Sequence, residues 1–350
     1  MRTMALGALV LAGAWFSSCA ASPPRHTSIG FAVSPPPALP APAFDSVILV
    51  AIDGARWQEV FRGVDPAFAS AADLAAGSPE ELMPTLHRWM TVDGVGLGAP
   101  GHAELRASGP NYVSMPGYTE MLTGRRSACQ SNECGATEDP TLVDEILGAG
   151  DNALVVSSWE RIALVATKNR AAVPMSAGRH AMGAPGELDE RDLAAGRASG
   201  PWPGSDDYRP DALTMRVALG ALDRGLPTFA FVGLGDTDEH AHHGDYHAYL
   251  AALRAADDFL ALLEARATER TAIFVTADHG RCATFRDHGG CPESARDFLA
   301  VRAPALALRG FVGSRAARLA DLAPTIRCML GLRADRAPDA GRPIEALCPR

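Results

Sequence analysis

With 350 residues, 47% of them hydrophobic, the chain has enough apolar material for a large core and is long enough for one large or two medium domains. A formal charge of -9 without any run of Lys or Arg excludes a protein built to grip a nucleic-acid scaffold. An anionic substrate could still be held through metal ions.

The N-terminus has the parts of an export signal: Arg2, an apolar stretch over 4–16, then Ser17 and Ser18 before Cys19. That stretch is too short to span a bilayer. A small-residue site ending in Cys resembles a bacterial lipoprotein signal, so residues 1–19 are expected to be removed up to a lipidated Cys19. Phe16 is atypical three places before such a cysteine, and ordinary secretion with cleavage nearby is the alternative. Residues 20–44 are rich in Pro and Ala and form an extended tether. The expected location is the periplasm or outer membrane of a Gram-negative bacterium, or the medium, with membrane contact only through the lipid. Oligomeric state is not legible. Cys129, Cys134, Cys282, Cys291, Cys328 and Cys348 remain; an even number in an exported chain favours disulfides. Nearest-neighbour pairing is the simplest connectivity, and the spacing does not choose among the others.

Residues 45–350 read as a single catalytic domain. The run 45–52 is continuously apolar, as in a strand buried on both faces of a parallel sheet, and it ends at Asp53-Gly54. Asp53 thus lies where open α/β sheets place ligands, or else it caps the helix expected over 56–62. A helix over 82–90 and a short strand over 94–98 follow. Pro116 fits only a first helical turn, so Ser114 falls at or next to an N-cap, with Gly124 as the stop. There the helix dipole favours an anion, a serine alkoxide included.

Helix is expected over 141–147, strand over 153–157 and helix over 159–166. Residues 174–209 are loop-like, a surface excursion or a lid. Helix over 211–223 leads to a second buried strand, 228–234. The segment 235–244 then carries Asp236, Asp238, Glu239, His240, His242 and His243, an unusual load for a surface turn. Asp236 with His240 and Asp238 with His242 are both four apart, so one helical turn would bring either pair to one ion. A third buried strand, 271–276, runs into Asp278 and His279, with His288 in a glycine-rich loop nine residues on. A largely apolar helix closes the chain over 319–332. Repeated strand-helix order implies a layered α/β/α fold with a mostly parallel central sheet and its site at one edge.

Together these residues supply two sites of carboxylate and imidazole ligands plus one hydroxyl, the equipment of in-line transfer at phosphorus. VILVAIDG, SMPGYTEMLTG, TDEHAHHGDY, FVTADHG, the His288-Gly289 pair and DLAPTI occur in the order found in the alkaline phosphatase superfamily. The chain resembles in particular its type I phosphodiesterases, nucleotide pyrophosphatases and cofactor-independent phosphoglycerate mutases, with sulfatases as further relatives. The resemblance implies an alkaline-phosphatase-like fold and two divalent ions, zinc first and manganese as the alternative. It implies that Asp53, Asp278, His279 and Ser114 hold one ion, and Asp238, His242 and His288 the other. It also assigns Ser114 as the nucleophile that becomes phosphoserine, and the second ion as the source of hydroxide for its hydrolysis. Asn132 resembles a phosphate-contacting Asn of relatives; a plain loop residue inside a Cys129 to Cys134 bridge is the other reading. Asp236, His240 and His243 become surrounding residues.

Two departures narrow the activity. Tyr118 stands where formylglycine sulfatases carry Arg, with Ser rather than Cys at 114. No segment is long enough for the inserted domain of the mutases. The expectation is an exported two-metal hydrolase of phosphomonoesters or phosphodiesters acting on a small phosphorylated substrate. A sulfate-ester or phosphonate hydrolase with the same site, and a non-catalytic metal-binding lipoprotein, are the alternatives.

Overall fold

Alternation along the strands sets the architecture. In Ser46–Ile52 every residue is buried: Val47, Leu49 and Ala51 face one hydrophobic cluster, Ile48, Val50 and Ile52 the other. A strand covered on both sides has no polar face, hence the unbroken apolar run. The computed structural model describes residues 42–348 except 72–74, 185–187, 189, 192–193 and 195–206. The signal-like segment, most of the tether and part of the loop-rich insert lie outside the described residues.

The described strands are, in chain order, β1 (Ser46–Ile52), β2 (Val95–Leu97), β3 (Leu105–Arg106), β4 (Ala153–Ser157), β5 (Met175–Ala177), β6 (Ala181–Met182), β7 (Phe229–Leu234), β8 (Thr271–Thr276), β9 (Arg296–Asp297), β10 (Leu299–Arg302), β11 (Gly310–Phe311) and β12 (Ala317–Arg318). Nine of them form a mostly parallel sheet in the order β11-β2-β10-β8-β1-β7-β4-β5-β6; the remaining three form a small second sheet. β1 pairs in parallel with β7 and β8, with Ile52 opposite Leu234 and Ala51 opposite Thr276. The residues just past these strand ends, Asp53, Gly235 and Ala277, therefore lie side by side at one edge.

Helices cover both faces, giving the α/β/α layering. Helix Ser114–Thr123 packs Met115, Tyr118, Met121 and Leu122 into the cluster that holds Phe229, Phe231 and Phe274. Helix Tyr246–Glu264 packs Tyr249, Leu253 and Leu260 against Val232 and Val275 on the opposite face, a stripe at helical spacing. Each such leucine contributes about 1.5–3 kcal/mol on burial.

Several elements differ from expectation. The helix over 82–90 is interrupted at Met83 (φ -137°, ψ 70°) and restarts at Pro84, because a residue before proline is pushed out of the α region. The helix over 159–166 shrinks to Ile162–Val165. The start of the 174–209 segment is not a surface excursion: β5 is fully buried and pairs with β4, and buried Arg209 donates from Nη1 to Ser176 Oγ at 2.7 Å. Disulfides join Cys129 to Cys134, Cys282 to Cys291 and Cys328 to Cys348, the nearest-neighbour set.

Candidate metal centre

Asp53 leaves the end of β1 fully buried. Gly54 beside it has φ +60°, and a Cβ there would sit 2.3 Å from Asp238 Oδ1, so only glycine lets the two acidic segments meet. Tyr118 Oη donates to Asp53 Oδ2 at 3.0 Å. Asp53 Oδ1 is left 3.4 Å from Ser114 Oγ and 3.5 Å from His279 Nε2.

Ser114 is the first residue of its helix, after Val113 at the N-cap. It is no cap: its hydroxyl turns into the acidic cluster, 3.3 Å from His279 Nε2 as well. The capping role goes to Asn132, whose Oδ1 accepts from Met115 N at 2.9 Å. Asn132 stands one residue from Ser114 through this bond, inside the Cys129–Cys134 loop.

Past β7, helix Asp236–His242 decides between the two aspartates. Asp236 Oδ1 accepts from Asp211 N at 3.1 Å, which turns it to the neighbouring helix. Asp238, two positions on and so on another face, points at Gly54 and the Arg281 guanidinium. His242 Nε2 lies 3.0 Å from Asp238 Oδ2. His243 is exposed, its Nδ1 2.8 Å from Glu239 O. His240 belongs to neither group of ligand atoms described below.

Past β8, Asp278 Oδ1 accepts from Gly54 N at 3.0 Å, whereas Oδ2 is buried without a hydrogen-bond partner. His279 donates from Nδ1 to Gly280 O at 2.9 Å, so its Nε2 presents a lone pair. The same logic holds for His288, whose Nδ1 donates to Tyr112 O at 3.0 Å; its ring stacks on His279 with centroids 4.0 Å apart. The close seating of Ser114 depends on Gly117, where a Cβ would meet Asp278 O at 2.3 Å.

Two groups of candidate ligand atoms result, each within 4.8 Å: Asp238 with His242 and His288, and Asp53 with Asp238 and His279. Asp238 stands in both. Asp278 joins the second group through the open Oδ2, 3.4 Å from His279 Nε2.

Burial, with Asp278 and Asp238 close by, pushes the Asp53 carboxyl well above its usual range. Burial and Asp238 push Asp278 up to about 7. Burial depresses His279 and His288 to about 4, so both imidazoles are neutral at pH 7. Asp238 behaves differently: burial would raise it, but Arg281, then His288 and His242, hold it well below its usual range. Crowded buried carboxylates beside neutral imidazoles lack positive charge, and an orphaned buried oxygen marks where it is missing. This donor set fits divalent ions of the zinc or manganese type.

Residues 207–292 match the family model described as Metalloenzyme superfamily. Over 105 residues the chain is 39% identical to the 2,3-bisphosphoglycerate-independent phosphoglycerate mutase of Cereibacter sphaeroides, which is 29% of this chain and 20% of that protein. It thus spans about a fifth of the length of the curated relatives it matches. Among solved structures, an alkaline phosphatase, PafA, is similar with a TM-score of 0.57 at 12% identity, over 88% of this chain and 99% of that one. The fold is therefore alkaline-phosphatase-like, and residues 207–292 carry the metalloenzyme match. A phosphonate monoester hydrolase of Agrobacterium radiobacter is also similar, with a TM-score of 0.56 at 16% identity over 87% of this chain and 77% of that one. At such identities the likeness speaks for the fold.

Two residues of the site were not assigned a role from sequence. Tyr118 sits four positions after Ser114, on the same helix face, and that spacing was a usable signal. Arg281 follows His279-Gly280 with nothing in its surroundings to mark it.

Proposed function

We propose that the protein is an exported two-metal hydrolase of phosphate esters that works through a phosphoserine on Ser114. The observation that carries the reading is the place of Ser114 Oγ: at a helix N-terminus, 3.4 Å from Asp53 Oδ1 and 3.3 Å from His279 Nε2. When bound, divalent ions, zinc in the first instance, supply positive charge that lets a serine oxygen lose its proton and that offsets charge building at phosphorus. Asp53, Asp278 and His279 would hold one ion beside Ser114, and Asp238, His242 and His288 the other.

The chain's own part is orientation. Tyr118 fixes the Asp53 carboxylate, Gly54 N–H fixes Asp278, and the helix dipole favours an anion at Ser114. Ser114 Oγ forms a bond to phosphorus as the ester oxygen leaves, and water then breaks the Oγ–P bond to release phosphate. Export rests on the signal-like residues 1–19, and residues 45–350 are read as one catalytic domain. Substrates are small phosphorylated molecules. Phosphonate esters are a second reading, favoured by the activity in the name of the similar Agrobacterium radiobacter protein.

The test compares nitrophenyl phosphate, bis-nitrophenyl phosphate, nitrophenyl sulfate and a phosphonate ester, with and without chelator. Hydrolysis of a phosphorus ester that chelation abolishes is expected, and Ser114→Ala should lower turnover at least about a thousandfold and remove the phosphoenzyme. Normal turnover by Ser114→Ala would refute the mechanism. Stoichiometric metal without hydrolysis of any ester would favour the non-catalytic metal-binding lipoprotein.

A further inference from the structure

The two groups of candidate ligands differ in what already touches them. Asp53 and Asp278 receive neutral donors only, from the Tyr118 and Ser114 hydroxyls and the Gly54 N–H, and His279 Nε2 faces the Ser114 hydroxyl at 3.3 Å. The Asp238, His242 and His288 group meets a fixed cation at two of its members, whereas the other group meets it only through the shared Asp238. Arg281 is 1% exposed, and its Nη1 donates to Asp238 Oδ1. Its Nε donates to Phe285 O at 2.5 Å and its Nη2 to Arg286 O at 2.6 Å.

These carbonyls belong to a loop that cannot easily follow a moving side chain. The loop is closed by the Cys282–Cys291 disulfide. Phe285 is buried, its ring 5.2 Å from Tyr246, 5.1 Å from Tyr249 and 5.2 Å from Phe68. The guanidinium is therefore anchored at two corners while a third presses on Asp238.

Nη2 of the same guanidinium lies 3.4 Å from His242 Nδ1. An ion held by Asp238, His242 and His288 would therefore bring two positive centres together.

We infer that Arg281 is a positioning residue that makes the two metal sites unequal, so that Asp53, Asp278 and His279 fill first and Asp238, His242 and His288 fill last and more weakly. The inference rests on the two-metal reading above. The test strips the protein with chelator, dialyses it against graded free Zn2+ and counts bound metal by mass spectrometry. Two binding steps separated by at least about tenfold are expected, with the weaker step lost in His242→Asn. Arg281→Met and Arg281→Gln should each tighten the weaker step about tenfold. The Gln variant keeps a donor for the loop carbonyls, so the measurement survives if Met disturbs folding. Two steps whose weaker member is unchanged or loosened in both variants overturn the inference and leave the two-metal reading standing. Fewer than two bound ions in the wild type overturn both.

Discussion

Asp211 and Asp278 are both buried aspartates, beside the ends of strands on either side of β1, yet they stand in opposite chemical positions. Asp211 Oδ1 accepts from Gly235 N at 2.7 Å and from Ser158 Oγ at 2.5 Å, and Oδ2 accepts from Asp236 N at 3.0 Å. Asp278 accepts one bond on Oδ1 and none on Oδ2. Burial raises the carboxyl pKa in both. Burial and a raised pKa therefore do not distinguish a structural acid from a ligand; an open oxygen does, and only in company. Asp297 also leaves Oδ2 without a partner, but among the described residues it joins no group of ligand atoms.

The largest effect should come from neutralising the open acid. Asp278→Asn is expected to lower turnover at least about a thousandfold and remove one metal equivalent, while the chelated protein melts no lower than wild type. A folded, fully loaded Asp278→Asn protein would break the contrast. Asp211→Ala should do the reverse: three donors lose their acceptor, at a cost of about 2–4 kcal/mol in urea unfolding, and folded molecules retain both ions. Loss of metal without loss of stability would show that Asp211 had been misjudged.

Tyr118→Phe sharpens the contrast from the other side, because it opens Asp53 Oδ2. A weakening of metal binding of about tenfold is expected, read by the same dialysis, with little change in melting. The smallest effect concerns pH. The Asp278 carboxyl rises from 3.8 unfolded to about 7 folded, so its contribution to stability is full below 3.8 and is lost as pH rises through 7. His279 and His288, depressed from 6.5 to about 4, lose theirs only as pH falls below 6.5. Between pH 6.5 and 8 the chelated protein should lose about 1 kcal/mol through Asp278, and Glu59 and Glu239, which burial also raises to about 7, add losses of the same sign. Urea unfolding at the two pH values checks this, and Asp278→Asn should reduce the change by about 1 kcal/mol while leaving the part due to Glu59 and Glu239.

The three central strands were legible because double-sided burial leaves an apolar run that little else produces, and their carboxyl ends pointed to the site. Short strands such as β5 and β10, with four residues or fewer, carry too little pattern to be seen. The break before Pro84 was readable from the proline rule but was overridden by helical periodicity. Spacing alone left Asp236 and Asp238 equivalent, since what separates them is the backbone of Asp211, in another helix. Arg281 was invisible for the same reason: its partners arrive through the fold, not through sequence neighbours.

β1 and β8 pair residues such as Ser46 and Thr271, so the sheet closes across most of the chain. Asp53, Asp238 and His279 cannot assemble early, because the strands that carry them meet only through long-range pairing, which is slow to form. A chain emerging from a ribosome has no complete metal site until residues near 288 are free to fold. Metal cannot therefore template the first steps of folding, and metal retained by a purified sample reports that the central sheet has closed.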